Sequence, residues 1–373
     1  MLFFVKKEYK HTKITKPKHM KKCVIKFVLF CLFAMIMVSS FQVPRCYGEE
    51  MVEYKGEIEH IFTHCLVAFP EIAFSNTNPM SKHYKTDCIT KKEFLALLNQ
   101  LHINNYALIN PNWIFEVENG VVVRKKLFMP KGKKPLIFSF DDVNYDQKKL
   151  KKGMVDKLIL QNDVVASSTT FGDDEIVSTT NEFVPILNEF VKTHPDFSVS
   201  GAKGMICLTG YDGILGYRTQ ANSPNRQSEI ESAKKVVEKL KSDGWVFGCH
   251  SYGHYHMKKI SDEKFAAEIK KWQQEVEPII GKTQIYIYPY GEWQILDNNA
   301  ISNKHKMLVD AGFAMFCGVG MQNFLAFLPR GEQRQNQILF MDRKNIDGFT
   351  LENRKKELSE LFDSDKIYDF ENR

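Results

Sequence analysis

The sequence predicts an α/β protein folded as a distorted (β/α) barrel. From residue 57 onward, apolar runs alternate with helical patterns, as expected for a sheet covered by helices. Polar residues directly follow several of these runs, at the carboxyl ends of the predicted strands, where barrel folds place their functional side chains. With 373 residues and 43% hydrophobic content, the chain is large enough for such a core. We therefore expect one domain over residues 49–373.

Residues 1–48 form a segment of different character. They contain ten Lys or Arg and a single Glu, and an apolar run at 27–38 follows the lysines. This pattern is typical of a signal peptide or an N-terminal membrane anchor. Extended to residue 43, the run reaches about 17 residues, the lower limit for a bilayer span, so cleavage and retention both stay open. Residues after about 49 are predicted to be exported, with a membrane contacted only through this segment.

The charge balance of the remaining chain argues against nucleic acid as a partner. The formal net charge of the whole sequence is +6. Without residues 1–48, however, 41 basic residues face 44 acidic ones. A nearly neutral domain has no general electrostatic attraction for DNA or RNA.

Each predicted element rests on a local pattern. Thr90 and Glu93 form a capping box at the start of a helix with a stripe of apolar residues. A second amphipathic helix ends at Gly244, a typical helix stop. The fully apolar run at 136–140 is typical of a strand buried on both faces. Strands are predicted at 59–68, 106–110, 136–140, 204–208, 245–249, 284–287 and 313–317, and helices at 90–101, 182–192, 228–242, 261–276 and 300–309. Residues 151–180 interrupt this alternation and predict an inserted β-hairpin, with strands at 154–160 and 164–170.

The eight cysteines include no CxxC pair, which argues against zinc-ribbon and thioredoxin-like sites. Cys65 and Cys88 are the pair close enough in sequence to form a disulfide. The remaining cysteines are expected to be small buried side chains.

Three polar segments follow predicted strands. Asp141 and Asp142 come after the strand at 136–140, and two adjacent carboxylates there are costly unless a cation or a proton neutralises them. His250 and His254 follow the strand at 245–249, and their spacing lets both imidazoles reach one ion. Residues 288–291, with the sequence Tyr-Pro-Tyr-Gly, follow the strand at 284–287 and predict a tight turn with exposed N–H groups.

Taken together, the three segments make the chain resemble the polysaccharide deacetylases of carbohydrate esterase family 4, the NodB-homology domain. The family pattern is a strand ending in T-F-D-D, an H-[ST]-x-x-H and an R-x-P-[YF]-G. The resemblance extends over roughly residues 60–350, with the motifs inside 136–291.

The resemblance implies a role for each motif residue. Asp142, His250 and His254 would bind one divalent metal ion, for which zinc is expected. Asp141 would be the general base, and the backbone N–H of Tyr290 would help to hold the oxyanion. Ser251 would support the histidine loop by hydrogen bonding, without touching the metal. Tyr288, Pro289 and Arg218 are the residues predicted to bind substrate.

The sequence departs from the family at two points. Ile287 occupies the place of the arginine that orients the base. Without a replacement the pKa of Asp141 should rise, and Arg218 or Arg343 could supply the missing guanidinium. The late motif that contains the acid histidine is also absent. His64 is the favoured substitute, His256 is a second option, and His305 is expected on a solvated helix.

These observations predict an exported, metal-dependent hydrolase that removes N-acetyl groups from amino-sugar polymers of the peptidoglycan or poly-N-acetylglucosamine type, at or outside the cell envelope. An acetylated glycan is therefore the expected partner. The missing arginine and acid histidine favour an alternative, a NodB-like glycan-binding protein with weak or no activity. A third possibility is an O-acetyl esterase of the xylan type.

Overall fold

A curled β-sheet forms the centre of the fold. The computed structural model describes residues 50–293, 302–329 and 337–373. The predicted signal or anchor segment at 1–48 and the start of the helix predicted at 300–309 lie outside these residues. Within the described residues, no helix is long and apolar enough to cross a membrane.

Among the described residues, ten strands make up the main sheet: β2 (Glu59–His64), β3 (Tyr106–Leu108), β7 (Lys134–Asp141), β11 (Met205–Leu208), β12 (Val246–Cys249), β13 (Ile285–Ile287), β14 (Met315–Cys317), β15 (Leu325–Pro329), β16 (Gln337–Met341) and β17 (Lys344–Asn345). Nine follow the order β15-β16-β14-β13-β12-β11-β7-β2-β17, and β3 also pairs with β7. All neighbours are parallel except β15 and β16.

Two residues connect the opposite ends of this sheet. β16 lies near one end of the strand order and β17 at the other, yet only Asp342 and Arg343 separate them in sequence. Three Cα–Cα steps span at most about 11 Å. The sheet must therefore curl until its ends meet, which confirms the predicted distorted barrel.

The two faces of the sheet bury separate apolar clusters. Ile137, Cys207, Ile287 and Met341 belong to a cluster that also contains other inward-facing strand residues. The alternate residues of the same strands, such as Phe140 and Tyr286, pack in a larger cluster with helix side chains. This alternation places one set inside the barrel and the other under the helices.

Two of the predicted helices begin at the capping residue that the sequence indicates. Thr90 accepts the N–H of Glu93, and the Glu93 carboxylate accepts the N–H of Thr90, which confirms the capping box. Ser261 caps a later helix through the N–H of Lys264. The helices are α1 (Pro70–Ala73), α2 (Ser81–Asp87), α3 (Lys91–Ile103), α4 (Phe183–Thr193), α5 (Arg226–Ser242), α6 (Asp262–Glu275), α7 (Glu277–Ile280), α8 (Asn303–Asp310), α9 (Gly348–Asn353) and α10 (Lys355–Leu358).

The inserted segment has one more strand than the sequence predicts. β8 (Lys157–Gln161) and β9 (Val164–Phe171) form the expected hairpin, but β10 (Asp174–Ser178) pairs antiparallel with β9 and makes a three-stranded sheet. The third strand escaped prediction because it begins with Asp and Glu and is largely exposed. The remaining strands form two small pairs, β1 (Met51–Glu53) with β6 (Phe128–Pro130) and β4 (Phe115–Glu118) with β5 (Val121–Arg124).

The five cysteines of the described region are free and buried. The disulfide considered for Cys65 and Cys88 is therefore not formed. The Cys65 thiol instead points to the carbonyl oxygen of Asp142, with Sγ 3.7 Å from it.

Candidate active site

The three predicted motifs meet at the carboxyl ends of neighbouring parallel strands. Asp141 ends β7 and Asp142 follows it, His250 follows β12, and Tyr290 lies in the turn after β13. β12 and β13 are adjacent, and only β11 lies between β12 and β7. Parallel strands bring these residues to one rim of the barrel, as the sequence predicts.

Asp142, His250 and His254 converge on one point. Their ligand atoms all lie within 4.8 Å of one another. The Nε2 atoms of the two imidazoles are 3.1 Å apart. Asp142 Oδ1 is 3.8 Å from Nε2 of His254 and 4.0 Å from Nε2 of His250. Ligand atoms bound to zinc at about 2.0–2.2 Å lie roughly 3.4 Å apart in a tetrahedral site. The spacing of the three groups therefore suits one divalent ion.

The hydrogen bonding of this cluster also fits a metal ion. Asp142 Oδ1 is buried and has no hydrogen-bond partner among the described residues. His250 Nδ1–H donates to the carbonyl oxygen of Ile287 at 3.1 Å, because a carbonyl can only accept. This bond fixes the tautomer and leaves the lone pair of His250 on Nε2, the nitrogen that lies near Asp142 and His254. Burial lowers the pKa of His250 to about 4, so the imidazole is neutral, as a metal ligand must be.

The backbone around the cluster is strained. Asp142, Ser251, His254 and Tyr290 have φ values of 58°, 59°, 51° and 58°, in the left-handed region that non-glycine residues rarely adopt. The Oγ of Ser251 accepts the N–H of His254 at 2.9 Å, which confirms its predicted supporting role. Strained residues of this kind persist where the surroundings hold them and cluster at functional sites.

Asp141 is held by Arg343. The Asp141 carboxylate is buried, and it accepts Nη1–H of Arg343 on Oδ1 at 2.7 Å and Nη2–H on Oδ2 at 2.9 Å. Burial alone would raise the pKa of this carboxyl, but the charge and the hydrogen bonds of the Arg343 guanidinium outweigh it and lower the pKa well below its ordinary value. Of the two arginines considered as replacements for the one absent at Ile287, Arg343 is therefore the one that contacts Asp141.

Arg218 orders two loops instead of contacting Asp141. Its guanidinium donates to the carbonyl oxygens of Tyr145 and Asp212, each at 2.7 Å, and lies 3.3 Å from the Asp212 carboxylate. These bonds tie the loop after β7 to the loop after β11. The contact of Arg218 with substrate stays a prediction.

Tyr288 and Pro289 do not face solvent. Both side chains are buried, and the Tyr288 hydroxyl is 2.8 Å from Nδ1 of His305 in the helix-covered layer. A glycan cannot reach them there, so the prediction that they bind substrate is wrong. His305 is itself fully buried against Phe316 and Phe340, so the expectation of a solvated helix position is also wrong.

His64 lies beside Asp141. The two residues are partners in the pairing of β2 with β7. His60 and Phe62 of the same strand contact Ser139 and Arg343 in the barrel interior, so alternation places His64 on that face too. Its Nδ1–H donates to the carbonyl oxygen of Asp87 at 3.0 Å, which leaves Nε2 as the nitrogen that can exchange a proton.

The rim also holds Glu292, a partner of His256 that the sequence analysis missed. Glu292 Oε1 lies 2.8 Å from Nδ1 of His256, and the His256 ring stacks on the exposed ring of Tyr290 at 3.8 Å between centroids. The Tyr290 ring also contacts the ring of His254 at 4.6 Å. No motif marks Glu292, although it lies two residues after Tyr290.

Residues 217–308 match the polysaccharide deacetylase family model. The matched segment contains His250, His254 and Tyr290, and it confirms the family resemblance drawn from the motifs. No curated protein matches the chain by sequence.

Several solved deacetylase structures resemble the chain at low identity. The deacetylase PplD of Streptococcus pyogenes, in complex with acetate, is 12% identical with a TM-score of 0.43, over 79% of this chain and 94% of that one. A polysaccharide deacetylase from Bacillus cereus is 14% identical with a TM-score of 0.45, over 83% and 70% of the two chains. IcaB from Ammonifex degensii is 12% identical with a TM-score of 0.40, over 80% and 96%.

Proposed function

We propose that the chain is a metal-dependent polysaccharide deacetylase that removes N-acetyl groups from amino-sugar polymers of the peptidoglycan or poly-N-acetylglucosamine type. The observation that carries this proposal is the arrangement of Asp142, His250 and His254 beside a carboxylate held by a buried guanidinium. Three protein ligands leave a coordination position open, which is typical of catalytic rather than structural metal sites.

The three ligands would hold a divalent ion, with zinc as the expected metal. Such an ion supplies Lewis acidity, which polarises the acetamide carbonyl and makes water a better nucleophile. Asp141 takes the proton of the attacking water, a role for which its ionised form is required. The N–H of Tyr290 donates to the oxygen on which negative charge develops.

The departing amine needs a proton, and His64 is the side chain proposed to donate it. His64 lies on the interior face of β2 next to Asp141, with Nε2 available. His256 is the competing group, but its Nδ1 is bound to Glu292 and its ring is stacked on Tyr290.

The bonds of Arg343 to Asp141 weaken the case for a binding protein without activity. That alternative drew support from the missing arginine at position 287. A buried guanidinium that pairs with both carboxylate oxygens supplies the same charge from the segment between β16 and β17. The missing late histidine motif remains as its support.

Product analysis tests the proposal. The full chain is freed of metal with a chelator, reloaded with zinc and incubated with N-acetylated and O-acetylated glycans, with Asp141→Asn as the matched inactive control. Acetate together with free amines supports N-deacetylation. Acetate without amines identifies an O-acetyl esterase, and glycan binding without acetate favours the binding protein.

We propose that this reaction takes place at or outside the cell envelope. The support is the lysine-rich and apolar pattern of residues 1–48. Fractionation of cells that express the full chain should recover it in the envelope or the medium, and recovery in the cytoplasm would refute the location. The mass of the recovered protein tells whether the segment is cleaved.

A further inference from the structure

A chain of polar side chains crosses the barrel interior next to Asp141. His60, Ser139 and Arg343 are fully buried, each with about 1% exposure or less. His60 Nε2 lies 3.0 Å from Ser139 Oγ, and Arg343 Nη1 donates to the same oxygen at 3.1 Å. These hydrogen bonds of His60 and Ser139 involve none of the three proposed metal ligands.

Ser139 and Asp141 share one donor group. They are two residues apart on β7 and therefore face the same side of the sheet. Nη1 of Arg343 is bound to both, at 3.1 Å from Ser139 Oγ and 2.7 Å from Asp141 Oδ1. The bond to Ser139 thus fixes the position of the guanidinium along β7.

His60 in turn fixes the hydroxyl of Ser139. A guanidinium can only donate, so Ser139 must present a lone pair to Nη1. If His60 Nε2 carries the ring hydrogen, it donates to Ser139 Oγ, and the hydroxyl donates to the carbonyl oxygen of Ile61 at 3.4 Å. If Nε2 carries no hydrogen, it accepts the hydrogen of the hydroxyl. In both cases the bond to His60 holds the serine oxygen in place. Without this contact the hydroxyl could turn away from Arg343.

The other contacts of Arg343 do not duplicate this one. Nε–H donates to the carbonyl oxygen of Gly318 at 3.3 Å, and the guanidinium lies over the Phe62 ring at 4.1 Å. A stacked ring restrains the tilt of the plane but allows it to slide. Both Nη atoms must face the carboxylate together for a two-bond contact, so a small slide would break one bond.

We propose that Ser139 and His60 are positioning residues that keep the Arg343 guanidinium aligned with both oxygens of Asp141. This inference rests on the proposed function, because it assigns the two residues a role in turnover through the base. It predicts that their effect on catalysis depends on Arg343.

A double-mutant cycle tests this dependence. Ser139→Ala should lower kcat about five- to tenfold, the effect of one lost hydrogen bond, with KM and metal content unchanged. His60→Leu should have a similar effect. Ser139→Thr should restore most of the activity, because it keeps the hydroxyl. In an Arg343→Met background, Ser139→Ala should have no further effect.

The matched control is Thr63→Val. Thr63 is a fully buried residue of β2 whose hydroxyl has no hydrogen-bond partner among the described residues. Removal of the Thr63 hydroxyl should leave kcat unchanged. The positioning role is overturned if Ser139→Ala keeps the wild-type kcat. It is also overturned if Ser139→Ala lowers kcat by the same factor in the Arg343→Met background as in the wild type.

A second readout does not depend on activity. If the wild-type, zinc-loaded chain releases no acetate from any glycan, the proposed function fails, but the alignment of Arg343 can still be measured. NMR of the labelled guanidinium should show hindered rotation in the wild type and faster rotation in Ser139→Ala. Equal rotation rates in the two proteins would overturn the positioning role.

Discussion

Arg343 contacts both carboxylate oxygens of Asp141 although the two residues are 202 positions apart in sequence. The family pattern leads one to expect this guanidinium two residues before Pro289, where Ile287 lies among the apolar residues of the barrel interior. The charge that stabilises the ionised base has thus moved to the segment that joins β16 to β17.

Replacing Arg343 should move the pH dependence of catalysis. Arg343 lowers the pKa of Asp141, and the base must be ionised to act. In Arg343→Met the pKa rises, so the acidic limb of kcat/KM should shift to higher pH and turnover should fall about 10- to 100-fold. Arg343→Lys keeps a positive charge but loses the two parallel bonds to the carboxylate. Its acidic limb and its turnover should therefore lie between those of the wild type and those of Arg343→Met.

Arg218→Met is the control for this experiment. Arg218 binds backbone carbonyls of two loops, so its loss should leave the acidic limb in place. A shift of the limb in Arg218→Met but not in Arg343→Met would show that the wrong arginine has been assigned.

Metal binding should depend on both histidines. His250→Ala or His254→Ala leaves two ligands, which cannot hold a divalent ion tightly against water. Asp141→Asn should instead retain the metal and lose turnover. Elemental analysis of the purified variants measures this, and full occupancy in both histidine variants would refute the metal site.

The source of the amine proton can be found by comparing two histidines. His64→Gln should lower kcat about 10²- to 10⁴-fold, since the amine would leave without the proton that a general acid supplies. His256→Gln should keep most of the activity. The opposite result would assign the acid to His256.

The stability of the protein should fall with rising pH because of Glu182. This carboxyl is fully buried at the start of α4, where Oε1 accepts the N–H groups of Leu66 and Phe183, and burial raises its pKa to about 8. Between about pH 4.5 and 8 the folded state keeps a proton that the unfolded chain has lost, so the free energy of unfolding decreases across that range.

Glu182→Gln should remove this slope. At pH 8 it should raise the free energy of unfolding by on the order of 4 kcal/mol, since the pKa of Glu182 rises from 4.5 to about 8 on folding and one pKa unit corresponds to about 1.4 kcal/mol. Urea unfolding at pH 5 and pH 8 measures the difference. Glu189→Gln, an exposed residue on the same helix, should leave the slope unchanged. A slope that persists in Glu182→Gln would assign it to another group.

The motif residues could be predicted from the sequence because each motif follows the end of a strand. Asp142, His250 and His254 follow runs whose apolar pattern marks their position at the rim. Arg343 could only be offered as one of two options, since no local pattern ties it to Asp141. The contact exists because the barrel closes, a long-range event that no short segment encodes.

The prediction that Tyr288 binds substrate is wrong because it considered the Tyr-Pro-Tyr-Gly motif apart from the strand that precedes it. Ile285 and Ile287 alternate with Tyr286 and Tyr288, and the isoleucines lie inside the barrel. Alternation therefore sends both tyrosines toward the helices. A period of two, applied through residue 288, would have placed Tyr288 in the core.

The closure of the barrel by Asp342 and Arg343 makes the base one of the last parts of the enzyme to be completed during synthesis. A nascent chain of 341 residues already contains all three metal ligands, but its Asp141 has no guanidinium partner. Only when the final strand docks against β2 does the carboxylate gain its counter-ion. Full turnover would therefore report that the chain has finished folding, and a truncated product could bind metal while remaining a poor catalyst.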